Sequence, residues 1–340
     1  MSTYNWQIFG HQKVVKILQK SLDNNKLAHA YLFSGKEHLG KHLLAQELIK
    51  TIYCLDWQQQ NQKLAEKSPC DKCVFCQQLE KRIHPDFYFL KKEEGKKNIS
   101  VEQVREMQKV LNLGSFLNSY KIALVSLADD LSESAQNALL KVLEEPRKKT
   151  ILILIANQPE LILPTIRSRC QQIKLHSLAK EEVFQALAQL GANREKADIL
   201  ASYSQGQIGL AINFYNNPEL FAAEAEKIRK FLLLFNSNLS QRFALIDELL
   251  KNYKTNSELN DFLKQELNSW QLVVRDILAL KNSLENLVVN LEQKPVLASL
   301  AQKYSVNKLL MIINNINIIK KYLPYNINPR LAVENLVLSF

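Results

Sequence analysis

Two groups of residues in this sequence have the types and spacing to do chemistry. The stretch SGKEHLGKHLLA (34 to 45) sets Gly35, Gly40 and Lys41 in the pattern of a phosphate-gripping loop, GxxxxGK[ST]. In such a loop the lysine reaches the β and γ phosphates of a nucleoside triphosphate, and backbone N–H groups at a helix start cradle the anion. A hydroxyl after the lysine helps hold magnesium. Here that next residue is His42, so the metal-holding oxygen is missing. Hydrolysis also needs an acid at the end of a neighbouring strand to orient magnesium, with a glutamate beside it to activate water. The run KIALVSLADDLS puts Ser126 and Leu127 at those two places. Asp129 and Asp130 arrive later and read as the opening of the next helix.

The second group is Cys54, Cys70, Cys73 and Cys76, a CxxCxxC triplet in PCDKCVFCQ with one cysteine upstream. Four thiolates can hold a tetrahedral zinc at about 2.3 Å per bond, and a site closed by four protein ligands is structural, not catalytic. The triplet is too crowded for easy mutual disulfides. Fifteen residues separate Cys54 from Cys70, so a three-cysteine site or free thiols are the alternatives. Cys170 reads as a small buried residue. His29, His38, His84 and His176 read as packing and turn residues, and no Ser/His/Asp or Cys/His constellation is present.

These residues need a scaffold. At 340 residues the chain has material for two or three domains. Its first half alternates helical and strand-like patterns, as an α/β domain with a parallel sheet does. AYLFSG (30 to 35) runs as a strand into the glycine loop, and GKHLLAQELIKTIY (40 to 53) has helical periodicity. KIALVSLA (121 to 128) and TILILIA (150 to 156) are apolar enough for buried parallel strands, and QQIKL (171 to 175) closes the series. Between them Ser132 is a helix cap, Ala135, Ala138, Leu139, Val142 and Leu143 recur at helical spacing, and Pro146 stops the helix. Beyond residue 175 the strand signals fade. Short helices EEVFQALAQLGA, EKADILASYS and GLAINFYNN fill 176–218, and longer amphipathic helices fill 219–340 as a bundle-like all-α domain. The expected division is therefore 1–175 with a metal module inserted at about 54–80, then 176–218, then 219–340. The polar WQQQNQK at 57–63 reads as a surface loop.

Composition limits the rest. Hydrophobic residues make up 46% and charged residues 23%, an ordinary globular balance. No apolar run approaches the roughly 20 residues of a membrane helix, and MSTYNWQIFG lacks the regions of a signal peptide. A cytoplasmic protein without membrane contact is expected. The net charge is +10, and +8 of it falls in residues 1–174. Such a bias attracts phosphate backbones, with solvated surface lysines as the alternative.

The stretches IFGHQKVVKIL, LAHAYLFSGKEHLGK, CDKCVFCQQL, HPDF, ISVEQVREM, SESAQNALLKVLEEP and LPTIRSRCQQIKL, in this order, resemble the bacterial clamp-loader family of AAA+ proteins, which belongs to DNA polymerase III. The resemblance covers nearly all of residues 5 to 175. It implies an AAA+ P-loop domain, a small helical lid domain and a C-terminal helical collar. It further implies that Arg169, in the SRC motif with Ser168 and Cys170, is an arginine finger lent to the ATP site of an adjacent subunit, where a guanidinium neutralises charge on the transferred phosphoryl group. Arg167 lies close enough in sequence to share that role. Working motors of the family keep the hydroxyl, the acidic pair and a lid arginine. This chain has His42, Ser126 with Leu127, and Gly209 instead. It therefore resembles the non-hydrolysing delta prime stators more than the gamma/tau motors, and its own ATP binding is expected to be weak or absent. Implied partners are the gamma/tau and delta subunits, the sliding clamp and primer-template DNA. Competing readings are an active gamma/tau-like ATPase and a zinc-bearing DNA-binding module acting alone.

Overall fold

The structure, a computed structural model, describes Tyr4, residues 6–55, 69–96, 98–116, 120–251, 253, 255–323, 325 and 327–340, without the side chains of 256, 257 and 261. The expected loop at 57–63 lies outside the described residues. The chain divides into two compact units. The first is Met1–Val183 with Gly206–Gly209, and the second is Phe184–Gln205 with Leu210–Phe340.

The first unit runs α1 (Gln12–Asp23), β1 (Ala30–Ser34), α2 (Lys41–Tyr53), α3 (Val74–Glu80), β2 (Phe87–Leu90), α4 (Val101–Asn112), β3 (Lys121–Val125), α5 (Glu133–Glu144), β4 (Thr150–Ala156), α6 (Pro164–Arg167) and β5 (Gln171–Lys174). The strands form one sheet in the order β2-β3-β4-β1-β5, and every pairing is parallel. This is the expected α/β domain with a parallel sheet. Parallel strands need crossover helices, which cover both faces and make the central strands apolar throughout. β1, β3 and β4 are accordingly buried at every position. Because strand side chains alternate, each strand feeds two cores. Tyr31, Phe33, Ile122, Leu124, Ile151, Ile153 and Ile155 pack with α1 and α2. Leu32, Ala123, Val125, Leu152 and Leu154 pack with α4, α5 and α6.

Local signals set the ends of the elements. Ser132 accepts from the Ala135 N–H to cap α5, and the helix ends at Glu144, two residues before Pro146. Asp129 and Asp130 do not open that helix, contrary to the sequence expectation. They lie in a separate 3-10 turn, Ala128–Asp130, because the Ser132 cap leaves no vacancy for them. β3 stops at Val125, shorter than the apolar run suggested. A buried network fixes the far end of the sheet. Asp86 accepts from the Ser115 hydroxyl at 2.8 Å and the Phe116 N–H at 3.0 Å, and it lies 3.8 Å from the Lys121 ammonium. The Tyr53 hydroxyl donates to the Asp86 carbonyl at 2.7 Å.

The second unit is helical: the C-terminal part of α7 (Lys180–Gln189), then α8 (Arg194–Tyr203), most of α9 (Ile208–Asn216), α10 (Pro218–Asn236), α11 (Leu239–Leu250), α12 (Asn256–Lys281), α13 (Lys294–Lys303), α14 (Val306–Tyr322) and α15 (Pro329–Leu338). Leu263, Leu267, Trp270, Val274 and Ile277 of α12 run through its core, at the three- and four-residue spacing of one helical face. Phe231 stacks on Trp270 with ring centroids 4.6 Å apart, and Phe235 stacks on Phe340 at 4.8 Å. Arg242 donates to the carbonyls of Leu234, Val337 and Phe340, which ties α15 to α10. Asp276, wholly buried, accepts from the N–H groups of Val289 and Asn290 and from the Asn290 amide.

Glu47, on the buried face of α2, has one carboxylate oxygen with no hydrogen-bond partner. Burial pushes its carboxyl up to about 7 from an ordinary 4.5; nearby Lys50 opposes the shift and Asp71 adds to it. The native state thus prefers Glu47 protonated, and a penalty grows as pH rises from 4.5 to 7 and is complete above that window. Glu47→Gln is expected to be neutral below pH 4.5 and stabilising by about 2 kcal/mol above pH 7. Urea unfolding of both proteins at pH 4.5 and pH 8 measures this, and an equal difference at the two pH values would contradict it.

Candidate functional site

The carboxyl ends of the parallel strands face one edge of the sheet, where α/β proteins bind their ligands. β1 leads there directly into the glycine loop. The Gly35 N–H bonds the Ala156 carbonyl at 3.3 Å. Gly35 has φ +142°, and a Cβ on it would stand 2.4 Å from the Leu175 carbonyl oxygen, so only glycine fits. Gly40, at φ 89°, precedes α2, whose N-terminus has no side-chain cap. Its first N–H groups are thus aimed at the loop.

Lys41 begins α2 and is only 4% exposed. Its ammonium donates to the Gly35 carbonyl at 2.6 Å and the Lys36 carbonyl at 2.5 Å. Burial lowers its pKa to about 8, against the pull of Asp129 and then Glu37. The loop's own carbonyls therefore occupy donors that a triphosphate would take. His42 points to the strand end where a motor would hold its acid. Burial first and Lys41 second lower its pKa, against an opposing influence of the Ser126 backbone. So the residue at the hydroxyl's place lies near the backbone of the residue at the first acid's place. Around them, Asp129 accepts with Oδ2 from the N–H groups of Asn157 and Gln158, each at 3.0 Å. Its Oδ1 is buried without a partner. The Asn157 amide donates to Glu37 at 3.2 Å.

Gly209 also belongs to this edge. Its N–H donates to the His38 carbonyl at 2.7 Å, and a Cβ there would meet the same oxygen at 2.9 Å. Backbone stands against the loop at the position where the resemblance expects a long cation.

The structure brings the four cysteines together. The sulfurs of Cys54, Cys70, Cys73 and Cys76 all lie within 4.8 Å of one another, two of them on buried residues. Cys54 terminates α2, Cys73 precedes α3 and Cys76 lies within it. The Cys73 N–H donates to the Cys70 sulfur at 3.4 Å, the kind of outer contact that orients a thiolate ligand. Hydrogen bonding with Cys54, then burial, then the charge of Cys54 and Cys73 push the Cys76 thiol above its ordinary range. A bound cation reverses that balance. The donor set fits a thiolate-binding metal ion with four protein ligands. Cys170 is buried elsewhere, with its thiol pushed up to about 12 by desolvation, and has no thiolate character at neutral pH.

Arg169 follows α6. Among the described residues it bonds Glu144 and Thr165 and none of the loop residues 35–42. Its Nη2 is 2.9 Å from Glu144 Oε1 and its Nη1 donates to the Thr165 carbonyl at 3.0 Å. Its side chain is 38% exposed. Arg167 keeps a buried Nε without a partner. Sequence reasoning missed Asp129 as a strap between strand ends, Glu144 as a contact of Arg169, and Gln136 as a contact of Leu161 and Leu163 ahead of the SRC motif. A glutamine among the apolar residues of α5 was the available signal for the last of these.

A family model described as DNA polymerase III, delta subunit, matches residues 10–179, and one described as DNA polymerase III, delta subunit, C terminal, matches residues 236–340. The DNA polymerase III subunit delta prime of Bacillus subtilis is 28% identical over 334 residues, covering 96% of this chain and 94% of that protein. The delta prime subunit of Pseudomonas aeruginosa is 40% identical over 145 residues, 43% of this chain and 42% of that one. In fold, the chain is similar to a gamma subunit-related protein of DNA polymerase III from Thermotoga maritima, with a TM-score of 0.51 at 16% identity over 96% of this chain and 97% of the other. The chain belongs to the DNA polymerase III delta-subunit family, as a subunit of that polymerase's clamp loader.

Proposed function

We propose that this chain is the non-hydrolysing, delta prime-type stator of the clamp loader, which helps load the sliding clamp on primed DNA and lends Arg169 to the ATP site of a neighbouring subunit. The observation that carries the reading is the pair of residues His42 and Ser126, which stand near each other at the loop and the end of β3. A motor needs a hydroxyl and an acid at these two places to hold magnesium, and here an imidazole and a serine stand there. Lys41 satisfied by its own loop and Gly209 against His38 support the same reading. The exposed Arg169 guanidinium suits delivery to a partner. Gly35, Gly40 and Lys41 then preserve the shape of a phosphate loop with weak or no nucleotide binding.

In this reading residues 1–175 are the AAA+ domain with its metal module, 176–218 the lid and 219–340 the collar that joins gamma/tau and delta subunits in a cytoplasmic hetero-oligomer. The basic first half contacts primer-template DNA through phosphates, without reading bases. Cys54, Cys70, Cys73 and Cys76 hold one structural zinc.

The purified chain is expected to turn over no ATP. Added to gamma/tau and delta partners, it should raise their turnover, and Arg169→Ala should cut that turnover by about 10³-fold. Turnover by the isolated chain that disappears with Lys41→Ala would establish the motor reading instead. Unchanged partner turnover with Arg169→Ala would remove the trans-arginine role. A monomer that binds DNA tightly but ignores the partners would favour the lone DNA-binding module.

One zinc per chain is expected by mass spectrometry, and its removal by a chelator should lower the melting temperature. Cys54→Ser should weaken zinc retention at least tenfold in competition with a chromogenic chelator. Retention equal to wild type would leave three cysteines as the site.

A further inference from the structure

The end of LLKVLEEP meets the SRC segment. α5 terminates at Glu144, whose carboxylate holds the Arg169 guanidinium at 2.9 Å. The Thr165 carbonyl accepts from Arg169 Nη1 at 3.0 Å and from the Ser168 hydroxyl at 3.1 Å. Buried Ile166 and Cys170 anchor the segment on the core side. Gln136, also buried and two turns before Glu144 in α5, fixes the spacing between the two pieces. Its amide donates to the Leu161 carbonyl at 3.0 Å, and its oxygen accepts from the Leu163 N–H at 2.8 Å. An acid in the last turn of a helix is opposed by the helix dipole, so helix stability does not account for Glu144. Of the five guanidinium N–H donors, Glu144 and Thr165 engage two and leave three.

We infer that Glu144 is a positioning residue for Arg169. Its carboxylate and the Thr165 carbonyl orient the guanidinium before a neighbour arrives, so the remaining donors meet the neighbour's phosphates without first ordering a long, flexible side chain. This rests on the trans-arginine reading above. Glu144 is 50% exposed, and a pair so open to water contributes little to folding. Its removal therefore reports on orientation and not on stability.

The test uses the full chain reconstituted with its gamma/tau-type and delta-type partners, with ATP turnover measured against ATP concentration. E144A is expected to lower kcat roughly three- to thirtyfold, the range set by losing the order of one arginine side chain. KM for ATP, assembly and melting temperature should stay unchanged. E144Q should recover part of the loss, because an amide oxygen still accepts from the guanidinium, and it serves alone if E144A does not fold. E144A combined with R169A should match R169A. An unchanged or raised kcat in E144A, while R169A still suppresses turnover, overturns the inference and leaves the trans-arginine reading standing. A further loss when E144A is added to R169A, or a kcat loss that tracks a lower melting temperature, also overturns it. If R169A has no effect, the underlying reading fails.

Discussion

A sheet buried on both faces leaves only its ends for chemistry, and the site in this chain depends on that constraint. Parallel register aligns the strand ends: Ser34 pairs with Ala156 and with Lys174, and Val125 with Leu154. The loop at 35–40, Ser126 and Asn157 therefore open on one edge whatever their side chains are. Packing of β1, β3 and β4 fixes the backbone, and side chains at the edge are free to change.

That separation leaves the shape of the glycine loop to its own hydrogen bonds. A lysine ammonium buried to 4% exposure needs acceptors, and the Gly35 and Lys36 carbonyls supply them. The Asp129 carboxylate supplies field as well as structure, since it lowers the cost of keeping Lys41 charged while its Oδ2 binds the N–H groups that follow β4. The loop is internally satisfied, and the helix N-terminus behind it retains the dipole that would attract an anion.

Periodic, local features were legible in the sequence. TILILIA is β4 to the residue, and Ser132 caps α5 as its spacing indicated. The glycine loop and the cysteine cluster were readable because tight turns and metal ligands impose spacing. β2 was not legible: FYFL has four residues, sits at the sheet edge and pairs only with β3, so it carries little pattern. α13, KPVLASLAQK, lies within the expected helical span and carries a proline in its first turn, where proline is tolerated. Asp129 and Glu144 escaped for another reason. Their partners, Asn157 and Arg169, lie 28 and 25 positions away in sequence, and no local pattern encodes such a contact. The role of the pair at 129 and 130 was misjudged because acids near a helix start satisfy a general preference that the Ser132 hydroxyl had already met.

The cysteine cluster closes a stretch of chain that begins at the end of α2 and returns at α3. A metal held there would act as a reversible crosslink, restricting the unfolded ensemble for as long as the thiols stay reduced. Maturation of this part of the protein would then depend on metal supply, and a cell short of the ion would lose replication machinery through poor yield of properly folded subunits before any catalytic step slowed.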